Sequence, residues 1–214
     1  MTERTAAPGI LAIWNDCAPG REAEFEEWYQ HEHLAERIAV PGFLLGRRYE
    51  AVSGAPRYFA FYLTQSPAVL KSAPYLERLD NPTPLTRKIM SGLFRNANRT
   101  VCEQSFRLGA MRGAAAVTLR FERPADRPAL EAAIRILMTD KAVACADIWS
   151  AAGAEAFPVS EEERVRGGDG KIATCMIVET LRASDAGSIA ESLSKQFSAA
   201  TAGVYRLLCE IRPA

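Results

Sequence analysis

The order of strand-like and helix-like segments, which runs through the same six-element cycle twice, constrains the fold of this 214-residue chain more than any other feature. Gly9 to Trp14 reads as a strand, and a turn through Ala18-Pro19-Gly20 leads into a charged, helix-favouring run from Arg21 to about Ile38. Pro41-Gly42 stops that helix. Two strand-like runs follow, Phe43 to Val52 and Tyr58 to Thr64, joined by Ser53-Gly54-Ala55-Pro56, a composition that predicts an antiparallel hairpin. Ser66-Pro67 opens a helix that Pro74 bends or interrupts, Thr83-Pro84 opens another to about Phe94, and a strand from Arg99 to Arg107 completes the cycle.

The second half repeats the order. Its strand at Ala114 to Phe121, helix from about Asp126 to Met138, strands at Val143 to Ser150 and Lys171 to Thr180, helix from Ser184 to Phe197 and strand at Val204 to Arg212 again make βαββαβ. Pro19, Phe25 and Arg107 correspond at one constant offset to Pro124, Leu130 and Arg212, while Tyr49 to Gly54 aligns with Ile148 to Gly153 and Ser66 with Ser184. The predicted fold class is therefore α+β, with two tandem ferredoxin-like βαββαβ units, 1–108 and 109–214, the second degenerate. Each unit covers one face of its sheet with helices, so the bare faces pack together and form one pseudo-dimeric α/β barrel. The long segment Ala154 to Gly170 interrupts the second hairpin and predicts either a surface excursion or a lid.

Composition narrows the partners. Twenty-six acidic residues balance 26 basic ones without long blocks of either sign, which gives no electrostatic reason to expect nucleic acid or an anionic membrane surface. A small neutral or weakly charged ligand fits better. The five cysteines are scattered and never spaced as CxxC, so they read as reduced thiols rather than disulfides or a zinc cluster. The N-terminal residues lack an apolar signal core, and no segment is long and apolar enough to span a bilayer, so a cytoplasmic location is expected.

Both histidines, His31 and His33, lie in the first helix. At about 100° per residue, Phe25, Trp28, Tyr29, Glu32 and Ala39 share one arc, which places Glu32 on the stripe facing the sheet and His33 beside Tyr29, with His31 pointing away. Desolvation would raise the Glu32 carboxyl pKa toward neutrality, the property a general acid or base needs, unless Arg47 or Arg48 of the next strand pairs with it. The two histidines diverge by about 200°, so they cannot share one metal ion, and no metal is expected. Trp28, Tyr29, His31, Glu32 and His33 become Ala133, Ile134, Ile136, Leu137 and Met138 at the offset fixed by Phe25 and Leu130. If these positions served packing alone, aliphatic residues would suffice, so the polar set points to one site, in the first half.

Strand alternation puts Phe43, Leu45, Arg47 and Tyr49 on one face and Arg48 on the other, so one arginine accompanies apolar neighbours and could bind an anionic or enolate oxygen. Tyr58 and Tyr62 share a face of the third strand, available for a ligand or for cross-strand packing.

The run Trp28-Tyr29-x-x-Glu32-His33-Leu34, followed by Arg37, Val40-Pro41-Gly42-Phe43 and Arg47-Arg48-Tyr49, resembles the dimeric α/β-barrel superfamily, in particular its EthD-like members. The resemblance implies a pocket between sheet and helices, and activities ranging over polyketide cyclisation, lactone isomerisation, cofactor-free oxygenation and haem-dependent chemistry. Haem relatives need a proximal histidine, for which only His31 and His33 are available. The leading expectation is a cofactor-independent enzyme that moves a proton on a small cyclic or aromatic carbon acid, by isomerisation, cyclisation or dehydration. Glu32 or His33 is the expected base, with Tyr29 as third catalytic group, and Trp28, Arg47, Arg48, Tyr49 and Tyr62 as substrate-binding residues. The alternatives are cofactor-free oxygenation of a phenol and a non-enzymatic ligand-binding protein. The chain is expected to act as a monomer, the pseudo-dimer, or as a homodimer.

Overall fold

A computed structural model describes residues 6–153 and 159–213. The first half contains strands β1 (Gly9–Cys17), β2 (Phe43–Ser53), β3 (Tyr58–Thr64) and β4 (Phe94–Leu108), with helices α1 (Glu22–Trp28), α2 (Leu34–Ile38), α3 (Ala73–Asp80) and α4 (Pro84–Gly92). The second half contains β5 (Ala115–Phe121), α5 (Arg127–Leu137), β6 (Val143–Ala151), α6 (Glu161–Arg166), β7 (Thr174–Thr180), α7 (Ala183–Gln196) and β8 (Thr201–Ile211). All strand pairings are antiparallel, and the sheet closes on itself in the order β1-β3-β2-β8-β5-β7-β6-β4. Within it the two halves run β4-β1-β3-β2 and β8-β5-β7-β6, seamed by β2 against β8 and β4 against β6.

Alternation along the strands divides the core in two. Ile10, Ala12, Trp14, Tyr49, Phe59, Phe61, Trp149 and Tyr205 point into the barrel and fill it, with Trp14 stacked on Phe59 at 4.8 Å and Phe61 against Trp149 at 5.1 Å between ring centroids. Leu11, Ile13, Tyr58, Ala60 and Tyr62 point outward and meet the first half's helices. A second outer core beneath α5 and α7 is built from Val117, Leu119, Leu130, Ile134, Val178, Ile189 and Leu193. No helix among the described residues is long and apolar enough to cross a membrane.

Several boundaries differ from the sequence expectation for identifiable reasons. Pro74 does not bend a helix: Pro67–Lys71 forms a 3-10 helix, and Pro74 sits in the first turn of α3, where its missing N–H costs nothing. Gly42 takes φ +93, so Pro41-Gly42 turns the chain sharply into β2. A register shift between Phe43 and Leu45 turns Phe43 to the helix side while Leu45 enters the barrel, which breaks the simple alternation expected for that strand. In the segment Ala154 to Gly170, residues 154–158 lie outside the described residues. The rest carries α6, capped by the Ser160 side chain on the Glu163 N–H and ended by Gly167 at φ +87.

Candidate functional site

The first helix is not regular. Between α1 and α2, Tyr29–His33 forms a π-helical turn in which the Leu34 N–H bonds to the Tyr29 carbonyl five residues back. The extra residue in that turn advances the inward face by one position, so His33, not Glu32, follows Tyr29 into the interior and Arg37 follows His33. Phe25, Tyr29, His33 and Arg37 are all buried, with His33 5% and Arg37 2% exposed.

Glu32 is accordingly displaced from the sheet-facing stripe. It is half-buried at the helix edge, where its Oε1 accepts hydrogen bonds from Thr83 Oγ1 at 2.5 Å and Thr86 Oγ1 at 2.7 Å, and it pairs with neither Arg47 nor Arg48. Thr83 is also the N-cap of α4, so the carboxylate fastens the two helices together. Trp28 joins the same chain: its Nε1 donates to Thr86 Oγ1 at 2.9 Å, while its ring lies 4.4 Å from the His33 ring.

A cavity of about 20 Å³, with room for about one water, lies between this helix face and the outer side of the sheet. Tyr29, His33, Arg37 and Tyr62 enter it from the first half, with Tyr75 of α3 and Arg99 of β4, over an apolar floor that includes Leu11, Ile13 and Phe94. The second half closes it. Glu162, Arg166 and Asp169 come from α6 and the turn after it, laid across α3, α4 and β4. Arg37 forms a buried ion pair with Glu162, Arg166 Nη2 donates to Asp169 at 2.7 Å, and the Gly170 N–H bonds to the Ala97 carbonyl at 2.8 Å.

Charge in this space is unevenly satisfied. The His33 Nδ1 and Arg37 Nη1 are buried with no hydrogen-bond partner among the described residues. Burial, reinforced by the positive charges of Arg37, Arg166, Arg48 and Arg99, holds the His33 pKa well below its usual value, so the ring is neutral near pH 7. Burial raises the Tyr29 phenol, and raises the Tyr62 phenol further with the Tyr29 oxygen beside it, so both stay protonated donors.

The expected site residues therefore separate. Tyr29, His33 and Tyr62 border the cavity, and Trp28 packs behind His33. Arg47 and Tyr49 instead face the barrel. Arg47 donates to Glu179 at 2.5 Å and to the Gly113 carbonyl at 2.7 Å, with its guanidinium over the Tyr49 ring. Arg48 lies on the helix side but outside the cavity, stacked at 4.6 Å on Tyr29 and 4.8 Å on Tyr58. Arg37, Tyr75, Arg99, Glu162, Arg166 and Asp169 were not expected. Arg37 had a signal in its spacing of four from His33, whereas the length of the segment Ala154 to Gly170 allowed a lid without indicating which of its side chains reach the cavity.

The residues present do not fit a haem. His31 is exposed, and the His33 ring is enclosed by Trp28 and by Tyr29, 5.1 Å away, beside space for about one water.

No family model matches the chain, and no curated protein matches it by sequence. Solved structures match it over nearly their whole length at low identity. An anthrone oxidase-like protein aligns with a TM-score of 0.60 and 10% identity, covering 99% of this chain and 95% of that one. A putative monooxygenase from Fusobacterium nucleatum aligns at 0.57 and 6%, covering 98% and 96%. A putative chlorite dismutase aligns at 0.54 and 10%, covering 95% and 96%. At such identities the likeness speaks to architecture alone: the fold is that of the dimeric α/β-barrel proteins, with the barrel closed within a single chain.

Proposed function

We propose that the protein is a cofactor-independent enzyme that abstracts a proton from a small cyclic or aromatic carbon acid, with His33 as the base. The observation that carries this reading is a neutral, buried imidazole with an unpartnered Nδ1 in a cavity bordered by three guanidinium groups. The substrate C–H bond breaks, its electron pair becomes an enolate, and the proton passes to His33. The enolate's negative charge beside the ring raises the imidazole's proton affinity as transfer proceeds, while Arg37, Arg99 and Arg166 stabilise the oxyanion. Tyr29 and Tyr62 supply phenolic donors to it. A buried imidazolium among arginines is a strong acid, so the proton returns readily to a second carbon in isomerisation or cyclisation, or to a leaving hydroxyl in dehydration.

In this reading Glu32 positions the helix rather than reacting. Halves 1–108 and 109–214 descend from one βαββαβ unit, an interpretation supported by their matching strand order, and the second half gave up its own pocket for an aliphatic core. Because one chain completes the barrel, a monomer suffices to hold the site, and a homodimer would add no strand to it.

Solvent-deuterium exchange into a panel of cyclic ketones, lactones and hydroxylated aromatics tests the proposal. Enzyme-dependent exchange that disappears in His33→Gln is expected; exchange that persists unchanged in that variant sinks the assignment. The neighbours named as a putative monooxygenase and an anthrone oxidase-like protein make oxygen uptake the second readout, since the same enolate would be the species that reacts with O2.

A further inference from the structure

We infer that Arg37, with Arg166 beside it, forms a carboxylate subsite that Glu162 occupies in the resting protein, and that the ligands belonging there are small aromatic or cyclic monocarboxylates. This deepens the proposed function by naming its substrate class, and it rests on that reading for the location of the reacting centre.

The inference begins with what each charged group around the cavity is bonded to. Three guanidinium groups face two carboxylates. Asp169 is committed to Arg166, and Arg99 donates to the Tyr75 hydroxyl at 2.7 Å. Arg37 is different. Its Nη2 bonds to Glu162 Oε1, its Nη1 is buried with no partner among the described residues, and the other Glu162 oxygen lies 3.8 Å from Arg166 Nη1. A guanidinium fork binds a planar carboxylate best through two parallel N–H···O bonds, and Glu162, reaching down from α6, makes one. A free carboxylate approaching within the cavity can satisfy both arms.

The remainder of the lining suits a ring. Leu11, Ile13, Leu79, Met90 and Phe94 are apolar, and Tyr29 and Tyr62 present ring faces and donors. The present space is too small, because an enclosed benzene ring needs about 150 Å³. The occupant that must leave is the one that competes for the charge: when the Glu162 side chain rotates out to solvent, loosening the packing of α6 while Asp169 holds Arg166 in place, the excess of positive charge grows and an incoming monocarboxylate restores the balance.

The test uses the full chain with benzoate as probe and benzamide, its neutral isostere, as control, by isothermal titration calorimetry. Glu162→Gln removes the competing charge and keeps the shape, so it is expected to tighten benzoate by about tenfold and change benzamide by less than about threefold. Arg37→Lys is expected to weaken benzoate by about tenfold or more. In the unaltered protein, benzoate and not benzamide is expected to speed amide exchange across residues 160–170. Unchanged or weaker benzoate binding in Glu162→Gln, or equal affinity for benzoate and benzamide, overturns the inference; should that variant not fold, absence of benzoate-specific exchange in residues 160–170 does so. Benzoate offers no acidic C–H, so failure of the proposed reaction leaves these results intact. Conversely, exchange into a neutral carbon acid that benzoate does not inhibit would leave the proton-transfer reading standing and remove the carboxylate subsite.

Discussion

Arg37 and Glu162, 125 residues apart, meet in a buried ion pair that fastens the second half's insertion onto the first half's helix. The pocket is thus a joint product. The first half supplies its floor and the face that carries Tyr29 and His33, and the second supplies its cover.

The π-helical turn separates the roles of two adjacent residues, and kinetics should separate them too. On a substrate found by the exchange screen, His33→Gln is expected to lower kcat by about 10²- to 10⁴-fold. Glu32→Gln should leave kcat within about threefold while lowering the unfolding free energy by about 1–2 kcal/mol, read from urea denaturation, because two hydroxyls lose a charged acceptor.

His33 also predicts a pH dependence of stability. Its folded pKa lies well below the unfolded value of about 6.5, so on acidification the unfolded chain takes up the proton first and stability is lost as pH falls through that value. Between pH 7 and pH 5 the loss from this one group amounts to at most about 2 kcal/mol. The difference in urea midpoint between these pH values should shrink in His33→Gln; an unchanged difference would show that the ring is not buried neutral.

Thr86 is a relay, accepting from Trp28 and donating to Glu32. Thr86→Val keeps the shape and removes both bonds, leaving a buried indole N–H unpaired, at an expected cost of about 1–3 kcal/mol. In a double-mutant cycle with Glu32→Gln the two losses should fall short of additivity, since Thr86→Val removes the hydrogen bond that Glu32→Gln weakens.

Arg47 faces the barrel, where Glu179 and the Gly113 carbonyl hold it. Arg47→Met is expected to destabilise the fold by about 3 kcal/mol by leaving part of the Glu179 charge uncompensated, while kcat/KM stays within about threefold. A large loss of kcat/KM in a folded Arg47→Met protein would place this residue back among the substrate contacts.

Local chemistry determined much of what was legible in advance. Period-2 apolar runs, Pro and Gly at the turns and the caps at Thr83 and Asp126 specified the order of strands and helices, because those signals act within a few residues. The contrast between Tyr29 and His33 on one side and Ile134 and Met138 on the other located the polar helix for the same reason. Three things were decided only in the folded chain. A regular 100° rotation cannot foresee a π turn, so Glu32 and His33 exchanged places. The side of the sheet on which Arg47 and Arg48 lie depended on where the register shifts in β2 and on the carboxylates, Glu210 of β8 and Glu179 of β7, that the closed barrel placed within reach of Arg47. The cover of the site came from residues 160–170, whose pairing with Arg37 depends on a long-range closure that no local pattern encodes, because it exists only once the barrel has brought the two halves together.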